Sequence, residues 1–398
     1  MLLSQLPTLP ADPLLGLSMA YRADQNPHKV DLGVGVYKDD HGNTPIMQAI
    51  STAQAEWAKQ EQTKAYAPPA GFEGFNQGML NLLLGEGASV LKEQRAISVQ
   101  TPGGCGALRV AAGMLMRCQE SVRIWVSTPT WANHTPLLGS AGLTLVEYPY
   151  YDYATHKIDF AAMLESLEGL KAGDLVLLHG CCHNPSGADL SLAQWQEVAN
   201  ILNEKGAIPF VDIAYQGLGN GLDEDAAGLR YLAEHCPEMV IASSCSKNFG
   251  LYRERVGSVT VIANSPTAAE TCRSQLMNIA REIYSMPPSH GAALVDIVLH
   301  NQALNNTWQQ ELAEMRQRID SLRTSFAQSL TAAGFGSAFD FIQDEKGMFS
   351  FLGITPAQVQ QLRDQYSIYM AGSSRINVAG LNTQNMAYVS DALKQIVV

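Results

Sequence analysis

The sequence predicts an α/β protein: a large domain on a mainly parallel seven-stranded sheet between helices, and a smaller α+β domain formed by the N-terminal segment and the C-terminal part. Three observations carry this expectation. Seven short apolar runs, at 97–99, 122–126, 143–146, 175–178, 208–211, 239–242 and 259–262, are mostly separated by helix-length segments, the alternation that builds a sheet with helices on both faces. Polar, aromatic and glycine residues follow most of these runs, so they gather at one edge of the sheet, where ligands bind in open α/β folds. Beyond residue 265 the chain turns helical, with apolar residues at spacings of three and four.

The 398 residues are enough for two or three domains with an ample core. They divide on this reading into an N-terminal arm at 1–13, a small domain from 14–44 with 315–398, and a large domain at 45–314. Hydrophobic residues make up 46% and charged residues 16%, but no apolar run approaches the length of a membrane span. The opening MLLSQLPTLP lacks a basic flank and a small-residue cleavage site, so a cytoplasmic protein is expected. Lys and Arg number 26 against 38 Asp and Glu, a formal charge of -12 with no long basic cluster. Such a field repels nucleic acid and anionic membranes. An anionic ligand must then be caught by local arginines or helix ends. The seven cysteines include the neighbours Cys181 and Cys182 and form no CxxC pair, so they are read as reduced, mostly buried thiols.

In chain order, the first thirteen residues hold three prolines, Pro7, Pro10 and Pro13, and little periodicity, an extended arm that either frays or is tied down on a partner. VDLGVGVYKDD then places Gly33 and Gly35 in an apolar segment, either a strand with a bulge or a loop covering a ligand. Residues 46–62 read as an amphipathic helix, and the loop KAYAPPAGFEGF after it carries Tyr66. Past the strand-rich region, REIYSMPPSHG reads as a loop broken by proline. Leu304, Trp308, Leu312, Met315, Ile319, Leu322, Phe326 and Leu330 then line one side of a helix of about 30 residues. In the tail, strand-like pieces at GMFSFLGI, IYM and RINVAG accompany two helices, the first capped by Thr355 with Pro356 in its first turn. Arg375 starts the last strand.

The chemistry lies in the segments after the strands. Gly103, Gly104, Cys105 and Gly106 precede a helix beginning ALRVAAGML, either a plain glycine turn or a seat for phosphate on backbone N–H groups. The pattern is neither GxGxxG nor a Walker lysine motif. Asp212 closes the buried run AIPFVD and is followed by Tyr215; it is a helix cap or a carboxylate that needs a cationic or donor partner. His134 and His183 lie in neighbouring loops without a third ligand, so no metal site is expected. Trp131 offers a flat apolar face, and Asn184-Pro185 is a candidate cis bond. Lys247, in SSCSKNFGLYRERVG, follows a strand and stands near Arg253 and Arg255, the setting in which a lysine amine is partly neutral and nucleophilic.

Taken together, SKNFGLYRERVG, TPGGCGALR, HNPSG and DIAYQG resemble the class I pyridoxal-phosphate-dependent aminotransferases of the aspartate/aromatic group (fold type I), and the likeness runs from LGVGVYKD to SSRINVAG. The resemblance implies roles for single residues. Lys247 is similar to the family's Schiff-base lysine and general base, and Asp212 to the partner of the pyridinium nitrogen, with His134 behind it. Tyr215 and Asn184 would bond the cofactor's phenolic oxygen, and Trp131 would stack on its ring. Gly103, Gly104, Cys105, Ser244 and Arg255 match the phosphate cradle, completed by Tyr66 from the partner subunit. Arg375 resembles the clamp for the substrate α-carboxylate, which calls for a planar bidentate donor. Gly35, Trp131 and Asn184 would also meet the substrate. Arg281 resembles the arginine donated across a homodimer to a distal carboxylate, so active sites would be shared between subunits.

The implied reaction is a reversible ping-pong transfer of an amino group to 2-oxoglutarate or another 2-oxo acid. Where aspartate-selective enzymes usually have asparagine, threonine and asparagine, this chain has Ala65, Cys105 and Met286. Cys105 gives the phosphate a weaker donor than a hydroxyl. Ala65 and Met286 make the substrate mouth less polar and more adaptable, so an aromatic preference is expected, with dicarboxylates accepted through Arg281. Aspartate aminotransferase is the alternative, and a catalytically silent cofactor-binding regulatory module a more remote one.

Overall fold

The computed structural model describes residues 3–9 and 13–397. Of the expected arm, residues 1, 2 and 10–12 lie outside the described residues; Leu3–Gln5 form one turn of 3-10 helix. Contacts divide the chain into two units, one of Met1–Asn43, Ser321–Gln343 and Met348–Val398 and one of Thr44–Asp320 and Asp344–Gly347.

The larger unit holds a seven-stranded sheet. Its strands in chain order are β1 (Ala96–Pro102), β2 (Arg123–Thr128), β3 (Thr144–Pro149), β4 (Leu175–His179), β5 (Ile208–Ile213), β6 (Met239–Ser244) and β7 (Val256–Ile262). Each contains or overlaps one of the seven apolar runs. The order across the sheet is β1-β7-β6-β5-β4-β2-β3, and β7 alone in this sheet runs antiparallel to its neighbours. Its direction follows from length: parallel neighbours need a crossover of a dozen or more residues, and residues 245–255 between β6 and β7 are too few to provide one. The carboxyl ends of the other six strands and the start of β7 therefore share one edge.

Helix Gly103–Cys118 fills the centre. Ala107, Leu108, Val110 and Ala111 pack with Val99, Val126, Leu177, Phe210, Ala242 and Val259 in one buried cluster. Alanines on this face let the helix approach the sheet closely, and Leu108→Ala would cost about 2–5 kcal/mol by opening a cavity. The expected glycine loop proves to be the first turn of this helix, which starts at Gly103. Helix Gln302–Leu330 has 29 residues, and all eight of the apolar positions read from the sequence are buried.

In the smaller unit, Val30–Asp31 pairs parallel with Ile368–Tyr369, and Phe349–Phe351 antiparallel with Arg375–Asn377. Thr355 and Gln358 form a capping box on helix Pro356–Tyr366. The guanidinium of Arg323, 1% exposed, donates to Ile342 O at 3.0 Å, Ser350 Oγ at 2.7 Å and Phe349 O at 2.6 Å. The segment with Gly33 and Gly35 is a loop rather than a bulged strand. The cause is Asp31, whose Oδ1 accepts from the N–H groups of Gly33 and Val34 and turns the chain out of the sheet.

Candidate active site

Lys247 sits three residues past the end of β6, half-buried, in the loop that β6 and β7 hold between them. Its Nζ lies 4.8 Å from the ring centroid of Tyr215, a buried tyrosine just beyond β5. Both line a cavity of about 220 Å³ at the shared strand edge. Gly104, Cys105, Trp131, Asn184 and Asp212 contribute to its wall, as do Ser244 and Arg255. Nine sequence-predicted positions from five strand-end segments thus meet in one place.

One end of this cavity is built for an anion. Helix Gly103–Cys118 has no side-chain cap, so its first N–H groups lack an intrahelical partner and the positive end of its dipole is open. A Cβ on Gly103 would lie 2.6 Å from Arg255 Nη2, and one on Gly104 would lie 3.3 Å from Ser244 Cβ. The missing side chains are what allow guanidinium, hydroxyl and helix start to converge. Arg255 takes a left-handed backbone, φ 57°, and its Nη1 donates to Tyr252 O at 3.0 Å. Cys105, also in the first turn, accepts from Asn133 Nδ2 at 3.7 Å.

Asp212 lies opposite His179 on β4 and Ala242 on β6. Its Oδ2 is 2.9 Å from Nε2 of His134, which is fully buried. As a carboxylate Asp212 can only accept, so the proton is on Nε2. Nδ1 of His134 is 2.8 Å from Thr130 Oγ1, and that oxygen is 3.1 Å from Nε2 of His179. Burial, aided by the nearby His134, holds His179 neutral by pushing its pKa down to about 3, against the opposing pull of Asp212. The Thr130 hydroxyl thus lies between the two imidazoles.

Asn184 follows a tightly held turn. The Asp189 carboxylate accepts from the N–H groups of Cys182 and His183, at 2.6 and 2.8 Å. Asn184-Pro185 is cis, as is Thr128-Pro129. Trp131 meets the His134 ring edge to face at 5.2 Å.

Other predicted residues lie elsewhere. Tyr66 is 92% exposed on its loop, and Arg281 is exposed in the last turn of helix Pro266–Ile283; neither lines the cavity of this chain. The loop expected from residue 281 thus starts only at Tyr284. Gly35 and Arg375 belong to the smaller unit and meet there at one ring. The Arg375 guanidinium lies 4.4 Å from the Phe349 centroid and donates to Gly33 O at 2.8 Å, while a Cβ on Gly35 would stand 2.7 Å from Phe349 Cζ.

His179, Cys181 and Ser246 line the cavity too and escaped the sequence reading. His179 had a signal, since it closes an apolar run and opens HGCCHNPSG. Thr130 had none, because only the folded chain brings it between two imidazoles. Cys181, Cys182 and Asp225 place one candidate metal-ligand atom each within 4.8 Å of one another. The Asp225 oxygens, however, accept from the N–H groups of Gly217, Gly219, Asn220 and Gly221, which ties them to the loop after β5.

An amine and a histidine-backed carboxylate that share a cavity with an anion seat are suited to hold a phosphorylated heteroaromatic ring and to move protons beside it. Comparison with known proteins gives the same class. The family model "Aminotransferase class I and II" matches residues 27–393. The chain is 46% identical to the aspartate aminotransferase of Escherichia coli (strain K12), over 96% of this chain and 97% of that protein. It is 44% identical to the aromatic-amino-acid aminotransferase of Pseudomonas aeruginosa, over 98% of this chain and 97% of that one. A crystal structure of an aromatic-amino-acid aminotransferase from Burkholderia pseudomallei, covalently bound to pyridoxal phosphate, superposes with TM-score 0.98 at 40% identity over 100% of both chains. The chain belongs to the class I and II aminotransferases, in their aspartate/aromatic group.

Proposed function

We propose that this aminotransferase prefers aromatic amino acids, also takes aspartate and glutamate, and passes the amino group to 2-oxoglutarate or another 2-oxo acid. The carrying observation is Lys247 and Asp212 in one cavity with the seat made by the helix start, Ser244 and Arg255. That seat fits the phosphate of pyridoxal 5'-phosphate: a dianion meets a guanidinium and an uncapped helix end, with glycines at 103 and 104 letting Arg255 and Ser244 close on it.

When bound, this cofactor supplies an electron sink for the pair released as the substrate loses its α-proton. Ser244, Arg255, Gly103, Gly104 and Cys105 hold the phosphate, joined by Tyr66 of the partner subunit. Asp212, oriented by His134, keeps a proton on the ring nitrogen. Trp131 covers the ring face, and Tyr215 and Asn184 bond the phenolic oxygen. Lys247 Nζ is the covalent anchor and then the base that moves the α-proton. Arg375 is the clamp for the substrate α-carboxylate, and Gly35 and Asn184 are further substrate contacts. Arg281 of the partner subunit meets a distal carboxylate, so the working form is a homodimer with shared sites.

Identity does not choose between substrates, since aspartate and aromatic enzymes stand at 46% and 44%. Ala65 and Met286 favour the aromatic reading because they remove polar groups from the substrate side. Burying an aromatic side chain contributes about 1.5–3 kcal/mol, roughly ten- to a hundredfold in selectivity. The ratio of kcat/KM for phenylalanine to that for aspartate should therefore exceed about ten. A strong preference for aspartate would make the enzyme an aspartate aminotransferase instead.

A further inference from the structure

Two segments that carry exposed, charged or polar groups outside the cavity are joined away from it. Gln100 on β1, 0% exposed, takes the Phe72 N–H on Oε1 at 3.1 Å and donates from Nε2 to Pro288 O at 2.7 Å. This amide staples the base of the Tyr66 loop to the segment after helix Pro266–Ile283. Beyond the staple both segments reach outward, one through Ala67 to Tyr66 and the other through Met286 to Arg281.

A second tie joins these arms: the Ala67 N–H donates to Met286 Sδ at 3.2 Å. The turn on the Met286 side is strained. Ser285 has φ 69°, and the Met286 N–H donates to Tyr284 O at 2.8 Å, a three-residue turn with positive φ that is rare without support. Arg281 Nη1 donates to the Ser285 hydroxyl. The tie, the turn and the guanidinium thus form one chain of contacts.

We propose that Met286 is a positioning residue for Arg281, its thioether tying the Tyr66 loop to the strained turn that holds the arginine. This rests on the reading of Arg281 as the group that meets a distal carboxylate. Sulfur is a weak acceptor on a side chain with three rotatable bonds, so the tie holds Arg281 for a dicarboxylate yet gives way for an aromatic ring. Specificity then depends on how firmly the arm is held as well as on what lines the mouth.

The test compares the holoenzyme with Met286→Leu, which keeps the volume and removes the acceptor, and Met286→Gln, which restores one. In Met286→Leu, exchange of the Ala67 backbone amide should rise about five- to tenfold. The KM for aspartate should rise about fivefold more than that for phenylalanine, with the ratio of the two kcat values unmoved. Met286→Gln should reverse both changes. Unchanged exchange, an equal loss for the two substrates, or no reversal by glutamine would overturn the proposal. Arg281→Ala, measured alongside, separates two failures. If it raises the KM for aspartate over that for phenylalanine and Met286→Leu does not, the tie has no role in specificity. If neither affects aspartate while Met286→Leu still speeds exchange, the reading of Arg281 is wrong and the proposal falls with it.

Discussion

A carboxylate near the end of a buried strand is costly without a donor, and His134 supplies one to Asp212 at 2.9 Å. Behind it the wiring continues through Thr130 to His179, and His183 stacks against Tyr150 with ring centroids 4.2 Å apart. Ser127 donates to Pro129 O at 2.8 Å, so its oxygen must accept from Nε2 of His183, 3.1 Å away. Burial, with His179 and His134 nearby, drives the His183 pKa well below its ordinary value. Both His179 and His183 are then neutral when folded but titrate near 6.5 when unfolded. The unfolded chain takes up protons that the folded one refuses, so stability is fully present above about pH 6.5 and falls as pH drops toward the folded pKa. The slope is about 1.4 kcal/mol per pH unit for each ring. Between pH 6 and 5, urea titrations of His183→Gln should lose stability less steeply than the parent by about that amount per unit. Equal slopes would mean that His183 is charged in the fold. Asp212 and His134 were legible because each stands in a segment that ends a strand. The proton order was not, since it depends on Thr130 and Ser127, which no spacing marks.

The seven strands were legible as elements because buried strands read as continuous apolar runs. Their order was not, because pairing partners leave no trace in a single run. The 11-residue gap at 245–255 did carry the antiparallel β7, had crossover length been weighed. This hairpin-like link brings Ser244 and Arg255 to the same helix start. It also explains Gly257, where a Cβ would press on the Ser243 carbonyl and stand 2.7 Å from the Gly103 carbonyl carbon. Both neighbours are backbone, so the strand itself must shift. Gly257→Ala should lower stability by about 1–3 kcal/mol and weaken binding of pyridoxal phosphate, measured by titrating the apoenzyme. A variant as stable and as tight as the parent would show that β7 does not set the seat. Gly33 and Gly35 show the opposite limit. Apolar neighbours left a bulged strand and a loop both open, and one side chain, Asp31, decides for the loop.

At the scale of the molecule, Tyr66 and Arg281 are exposed on a chain whose cavity gathers nine of the other predicted site residues. On the proposed function they complete a partner's site, so each site draws Lys247 from one subunit and Arg281 from the other. Lys247→Ala and Arg281→Ala homodimers should both be poor with aspartate, the first because it lacks the amine and the second because it lacks the distal clamp. In a mixed dimer one site carries both lesions and the other carries neither. Random reassembly of equal amounts makes about half the dimers mixed, so about a quarter of all sites should regain parental aspartate turnover. The recovered sites should keep the parental KM, because each is chemically complete. If both groups served a site within one chain, mixing would restore nothing, since every site would still carry one of the lesions. Aspartate turnover after co-refolding, set against the two unmixed variants, decides between these arrangements. Phenylalanine serves as the internal contrast: it has no distal carboxylate, so Arg281→Ala should spare it more and the gain on mixing should be smaller.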